Sequence, residues 1–118
     1  MDFGICVASK IDDVGYIDGD SAYSLYECPD ELAGLIRKSF SAQPGMIEGE
    51  SWYQGDHMIF VINQVPALAL TSEKAMENLA TITHTPQDRP ELVDCGKLVG
   101  VALALRDLVL RLATEYQA

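Results

Sequence analysis

Residues Phe3 to Ile11 read FGICVASKI, with no polar side chain before Ser9. In an extended chain Phe3, Ile5, Val7 and Ile11 share one face, and Gly4, Cys6 and Ala8 share the other. A segment that is apolar or small on both faces must be covered on both. That predicts a central strand of an α/β sheet with a layer on each side. The strand runs straight into Asp12-Asp13-Val14-Gly15-Tyr16. In open α/β sheets the crevice beyond the carboxyl ends of the strands is where ligands bind. Two adjacent acids at such an end are candidates for a site, and they read equally well as solvated turn residues.

The length of 118 residues suits a single domain, taken to span 1–118, and a hydrophobic content of 48% suits a folded chain. The formal net charge of −10 argues against nucleic acid or an anionic membrane as a partner, since both call for basic patches. Cys6, Cys28 and Cys95 are odd in number, widely spaced and without a CxxC pair, as expected of free thiols in a reducing compartment. Met1-Asp2-Phe3-Gly4 lacks the basic start of a signal peptide, and the apolar run Leu98–Leu105 is far short of the roughly 20 residues of a membrane span. The expected location is cytoplasmic.

Asp18-Gly19-Asp20 marks a turn, and the later positions of a calcium loop are missing. Ser21–Tyr26 reads as a short strand or an aromatic-bearing loop. Pro29–Ala42 predicts a packing helix, with Asp30 and Glu31 in its first turn, Leu32, Leu35, Ile36 and Phe40 on one face, and Pro44-Gly45 as its stop. Met46–Glu48 is extended. The following loop holds Trp52 and Tyr53, which either cap a small core or wall a pocket. Met58–Ile62 suits a helical turn or two. Val65–Leu70 predicts a buried strand opened by Pro66 and ended by Thr71 and Ser72. Glu73–Leu79 suits a short helix. Asp94 predicts the N-cap of a last long helix. The expected apolar stripe of that helix is Leu98, Val101, Ala102, Leu105, Leu108, Val109 and Leu112, with Asp107 and Arg111 paired on the other side.

Between the short helix and the long one lies Thr81–Asp94, TITHTPQDRPELVD. Pro86 and Pro90 stiffen this loop. His84 is either a surface histidine in a proline-rich connection or a ligand held on a stiff turn.

The ordered series Ile11-Asp12-Asp13-Val14-Gly15, Gly55-Asp56-His57-x-x-Phe60, Val65-Pro66-Ala67-Leu68, His84-Thr85-Pro86-x-Asp88 and a final long helix resembles the C-terminal half of the co-catalytic zinc aminopeptidases. That family includes bacterial leucyl aminopeptidases, glutamate carboxypeptidase II and the glutaminyl cyclases. The resemblance covers nearly the whole chain. It implies part of a three-layer α/β/α zinc-exopeptidase-like domain, a mixed sheet flanked by helices. It implies zinc as cofactor, two ions in the intact domain, with Asp12 a ligand of one and His84 a ligand of the other. Asp56, His57 and Phe60 then lie beside the substrate. Asp88 either orients His84 from behind or ties down its own loop.

The chain departs from the family pattern at Lys10, where the family has Asn, at Thr83, where some members have Tyr, and at Arg89, where Thr is usual. The family's remaining ligands are a first His, a bridging Asp and a Glu-Glu pair whose first member is the general base. All precede the strand that ends at Asp12, and eleven residues precede Asp12 here. The resemblance therefore implies part of an aminopeptidase-type metallopeptidase that acts on peptide substrates, with no catalytic residue in this stretch, weak or absent zinc binding and no turnover by itself. A glutaminyl-cyclase-like acyltransferase and a non-catalytic interaction module are the competing expectations. Exposed sheet edges and apolar surface predict a homo-oligomer.

Overall fold

The computed structural model describes residues 7–116. The chain forms β1 (Ala8–Ile11), β2 (Ser21–Tyr26), α1 (Asp30–Ser41), β3 (Met46–Glu48), α2 (Met58–Val61), β4 (Ala67–Ser72), α3 (Ala75–Thr81) and α4 (Cys95–Glu115), with a 3-10 turn at Pro90–Leu92 before α4. The fold is α/β. The four strands form one mixed sheet in the order β1-β4-β2-β3. β1 runs parallel to β4, β2 antiparallel to β4, and β3 parallel to β2.

The sheet separates two unequal layers. Register places Leu68 of β4 opposite Leu25 of β2, and Leu70 opposite Tyr23. This face packs on α1 and α4 through Leu32, Ile36, Phe40, Val101, Ala104 and Leu108, which form the main core. The Tyr23 ring meets Phe40 edge to face at 4.8 Å. On the opposite face, Ala67 and Ala69 join Tyr26 in a smaller cluster covered by Trp52, Phe60 and Val61. Leucines toward the helix pair and alanines toward the thinner layer explain why every residue of β4 is buried.

β4 and β2, not the segment ending at Ile11, are the interior strands. Among the described residues β1 pairs with β4 alone and lies at the sheet edge, with Ile11 47% exposed. The physical reason is visible in its last residues, since Ser9 and Lys10 suit an edge and Lys10 reaches out to carboxylates. The two-sided apolar part of the expected strand, Phe3–Cys6, falls outside the described residues. β4 also runs on through Thr71 and Ser72, which pair with Ala22 and Ser21 instead of ending the strand.

α1 begins after Pro29, with Asp30 and Glu31 in its first turn, as the sequence predicts. Asp94 caps α4 by accepting a hydrogen bond from the Gly96 amide at 2.8 Å. The buried face of α4 is turned from the expected stripe. It centres on Val101, Ala104 and Leu108, while Ala102 and Val109 are exposed. From Leu98 to Leu105 the helix is apolar on nearly every side, so the pattern alone could not select the face that meets α1.

Candidate functional site

Asp12 to Ile17 leaves the end of β1 and is stitched to the segment that leads into α4. The Ile17 amide donates to the Leu92 carbonyl at 2.9 Å, and the Asp94 amide donates to the Gly15 carbonyl at 2.7 Å. Lys97, in the first turn of α4, donates to the carbonyls of Tyr16, Ile17 and Gly19 at 3.0, 2.6 and 2.7 Å. These bonds draw the histidine-bearing loop back toward the strand end, some seventy residues away in sequence.

Asp13 sits at the meeting point. Its backbone is left-handed, with φ 56°, and the Ser72 hydroxyl donates to its carbonyl at 2.5 Å. Partial burial of the carboxyl holds its pKa above the ordinary value, and the charges of Asp12 and then Asp88 push in the same direction. His84 and Lys10 act on it in the opposite sense. Asp12, on the strand end, and His84 and Asp88, in the loop, thus all act on the Asp13 carboxyl.

His84 is itself exposed and left-handed, with φ 63°. Side-chain bonds that tie down its loop come from Thr85, whose hydroxyl donates to the Ile82 carbonyl and accepts from the Gln87 amide. The Asp88 amide closes a turn on the Thr85 carbonyl at 3.0 Å, with Pro86 at the second turn position.

Beside these acids a cleft of about 660 Å³ opens on the thinner side of the sheet. Its floor is Ile47, Ala22 and Thr71, which stand in register across β3, β2 and β4. One wall is Trp52 and Tyr53, and the other is Met76 and Leu79 of α3. Asp12, Asp13, Glu50 and Glu73 line it as well, and no lysine or arginine does.

The Trp52 wall is held firmly from behind. The Tyr26 hydroxyl donates to the Trp52 carbonyl and accepts from the Trp52 amide, both at 2.8 Å. His57 Nε2 lies 2.9 Å from the same carbonyl. A carbonyl only accepts, so Nε2 carries a proton. Nδ1 is buried without a hydrogen-bond partner among the described residues. A Cβ on Gly55 would stand 2.9 Å from Nδ1, at a backbone φ of 152°, so glycine is what lets the chain pass here.

The residues expected beside a substrate are therefore placed differently from one another. His57 is 1% exposed and stands behind the Trp52 wall, where its ring packs on Trp52 and Tyr26. Phe60 packs under Tyr26, Ala67 and Ala69. The Asp56 side chain is 95% exposed and pairs with Lys10, whose amine also lies 3.6 Å from Asp12. The cleft takes Trp52 and Tyr53 from this region instead, and Trp52 both lines the cleft and caps the small Tyr26, Ala67 and Ala69 cluster.

Met76, Leu79 and Glu73 were not singled out by sequence reasoning. The signal lies in the structure and not in the sequence: α3 is a seven-residue helix with no buried residue, so its apolar side chains face a surface or a cleft.

As to metal, among the described residues no three His, Cys, Asp or Glu side chains gather in a way that could hold an ion. Among the same residues no helix is long and apolar enough to cross a membrane. No protein-family model matches the chain, and no curated protein or solved structure matches it.

Proposed function

We propose that the chain is the carboxyl-terminal portion of a zinc-dependent, aminopeptidase-type hydrolytic domain that acts on N-terminal peptide bonds in the cytoplasm. The observation that supports this reading is the pair of backbone hydrogen bonds that ties the Asp12–Ile17 segment, at the carboxyl end of β1, to the residues between His84 and α4, beside an apolar cleft lined by Asp12 and Asp13. In this reading Asp12 and His84 each supply one donor, to two different zinc ions.

A catalytic zinc takes about three protein ligands and keeps a position for water or substrate. One donor per ion falls short of that, and no further donor joins them among the described residues. These residues do not by themselves fit a zinc centre. Their part is to shape and charge the substrate side of the site. The Trp52–Tyr53 wall and the α3 residues offer apolar surface, and the strand-end acids set a negative field.

The deciding experiment is to extend the coding sequence upstream and look for an in-frame His, Asp and Glu-Glu series, then to assay the longer protein. The expected result is about two zinc per chain and release of leucine from a leucyl anilide, both lost on His84→Ala. A longer protein that binds no zinc, or one whose hydrolysis survives His84→Ala, overturns the proposal.

A second reading, an association module, is favoured by one observation. α4 is buried through Val101, Ala104 and Leu108, yet it also exposes Val99, Leu103 and Leu110 on the far side.

A further inference from the structure

We infer that the cleft beneath Trp52 is a preformed binding site for a small apolar cation, an aromatic or long-chain aliphatic body that carries an amine or guanidine. Three observations carry this, and none of them needs a metal.

The first is size and lining. A volume of about 660 Å³ falls within the range of small-molecule sites, and the walls offer an indole, a phenol, a thioether and a leucine. Tyr53, Met76 and Leu79 are 64%, 58% and 51% exposed, so apolar surface is left facing the cleft for a ligand to cover.

The second is rigidity. Tyr26 clamps both backbone groups of Trp52, and His57 holds its carbonyl a second time. Both anchors are buried. A wall fixed in this way loses little freedom when a ligand arrives, which is what preorganisation contributes to affinity.

The third is the sign of the charge. Four acidic residues line the cleft, with no lysine or arginine among its lining residues. The nearby amine of Lys10 is already shared between Asp12 and Asp56. An anion would meet repulsion from four acids of which, among the described residues, Asp12 alone has an ion-pair partner, Lys10. A neutral ligand would gain only the apolar walls. A cation gains both the walls and the field, and an indole face adds its own attraction for positive charge. Of the four acids, Glu73 is partly committed, because it accepts the Asp20 amide at 2.8 Å. Glu50 follows directly on Gly49 at the cleft and leads into the Trp52 wall, so it is the acid to change first.

The test uses the full 118-residue chain with a chelator present, so that its outcome is independent of the zinc reading. Trp52 is the only tryptophan, so fluorescence reports the cleft wall alone. Three probes of one shape are titrated: phenethylamine, 2-phenylethanol and 3-phenylpropionate. The amine is expected to give a saturable change and to bind about tenfold more tightly than the alcohol, with the carboxylate weakest. The amine's advantage is expected to shrink as salt is raised. Glu50→Gln is expected to weaken the amine by about threefold while leaving the alcohol unchanged. Far-ultraviolet circular dichroism checks that the variant is folded. Equal binding of amine and alcohol, preference for the carboxylate, or no saturable change with any of the three overturns the inference.

Discussion

Asp13 pairs a left-handed backbone with a carboxyl that the fold makes harder to ionise. A raised acid pKa means that the folded protein binds the proton more tightly than the unfolded chain does. The resulting stabilisation is complete below the unfolded value, near 3.8, and is lost as pH rises through the raised folded value. At neutral pH the ionised Asp13 is therefore a net burden, set by its own partial desolvation and by Asp12 and Asp88 beside it. Asn tolerates the same left-handed backbone and carries no charge. Asp13→Asn is expected to raise stability at pH 7 by less than about 1 kcal/mol, because the residue is exposed and solvent screens the effect. The gain is expected to vanish below pH 3.8. Urea melts at both pH values, run with a chelator, measure this directly. Tyr26 makes the complementary case, a polar group whose bonds are all satisfied indoors. Tyr26→Phe leaves the Trp52 amide without its acceptor. It should cost about 1–3 kcal/mol and shift Trp52 emission to the red as the wall loosens.

At the scale of elements, the site depends on how closely α4 approaches the loop after β1. Gly15 is buried, with φ 91°, and a Cβ there would stand 2.6 Å from Leu98 Cδ2. Gly15→Ala meets two separate penalties, a backbone that L residues rarely adopt and a clash with α4. Their sum is expected to be about 2–4 kcal/mol in chemical denaturation. Adding Leu98→Ala should recover only the steric part, so incomplete rescue in the double variant distinguishes the two terms. The elements themselves were largely legible in the sequence, because caps and periodicity are local. Asp94 marks the start of α4, Asp30 and Glu31 mark that of α1, and the Val65–Leu70 run marks β4. The position of β1 was not legible. Apolar residues on both faces of a strand say that its faces are covered and say nothing of whether its edge is paired. The cleft was only half legible, through the aromatic pair and the strand-end acids. Its floor exists because Ile47, Ala22 and Thr71 come into register across three strands, and register is a long-range fact. His57 was expected beside the substrate from a resemblance alone; its interior site depends on the Trp52 carbonyl and two aromatic rings that only the fold brings to it.

Over the whole molecule, the two sides of the sheet are unequally finished, and α4 is unfinished on its far side. Val99, Leu103 and Leu110 follow one another at spacings of four and seven residues, so they form a single stripe opposite the buried Val101, Ala104 and Leu108. Val99 and Leu110 are each 57% exposed. Arg106 lies on the same stripe and interrupts it only once. A surface helix in a finished domain keeps one apolar face, and a second one asks for a partner. The net charge of −10 opposes indiscriminate clumping, so association should be limited and specific, and more pronounced as salt screens the repulsion. The 118-residue chain is expected to sediment as a dimer at tens of micromolar, to dissociate on dilution, and to become monomeric when Val99→Lys and Leu110→Lys are combined. Both positions are exposed, so the double variant should keep its circular dichroism and its melting transition. The same experiment bears on the proposed parent domain. If an upstream segment covers this stripe, the extended protein should remain monomeric where the shorter chain associates. If both forms dimerise and the lysine pair dissociates both, the stripe is an interface in its own right and the association reading gains over the catalytic one.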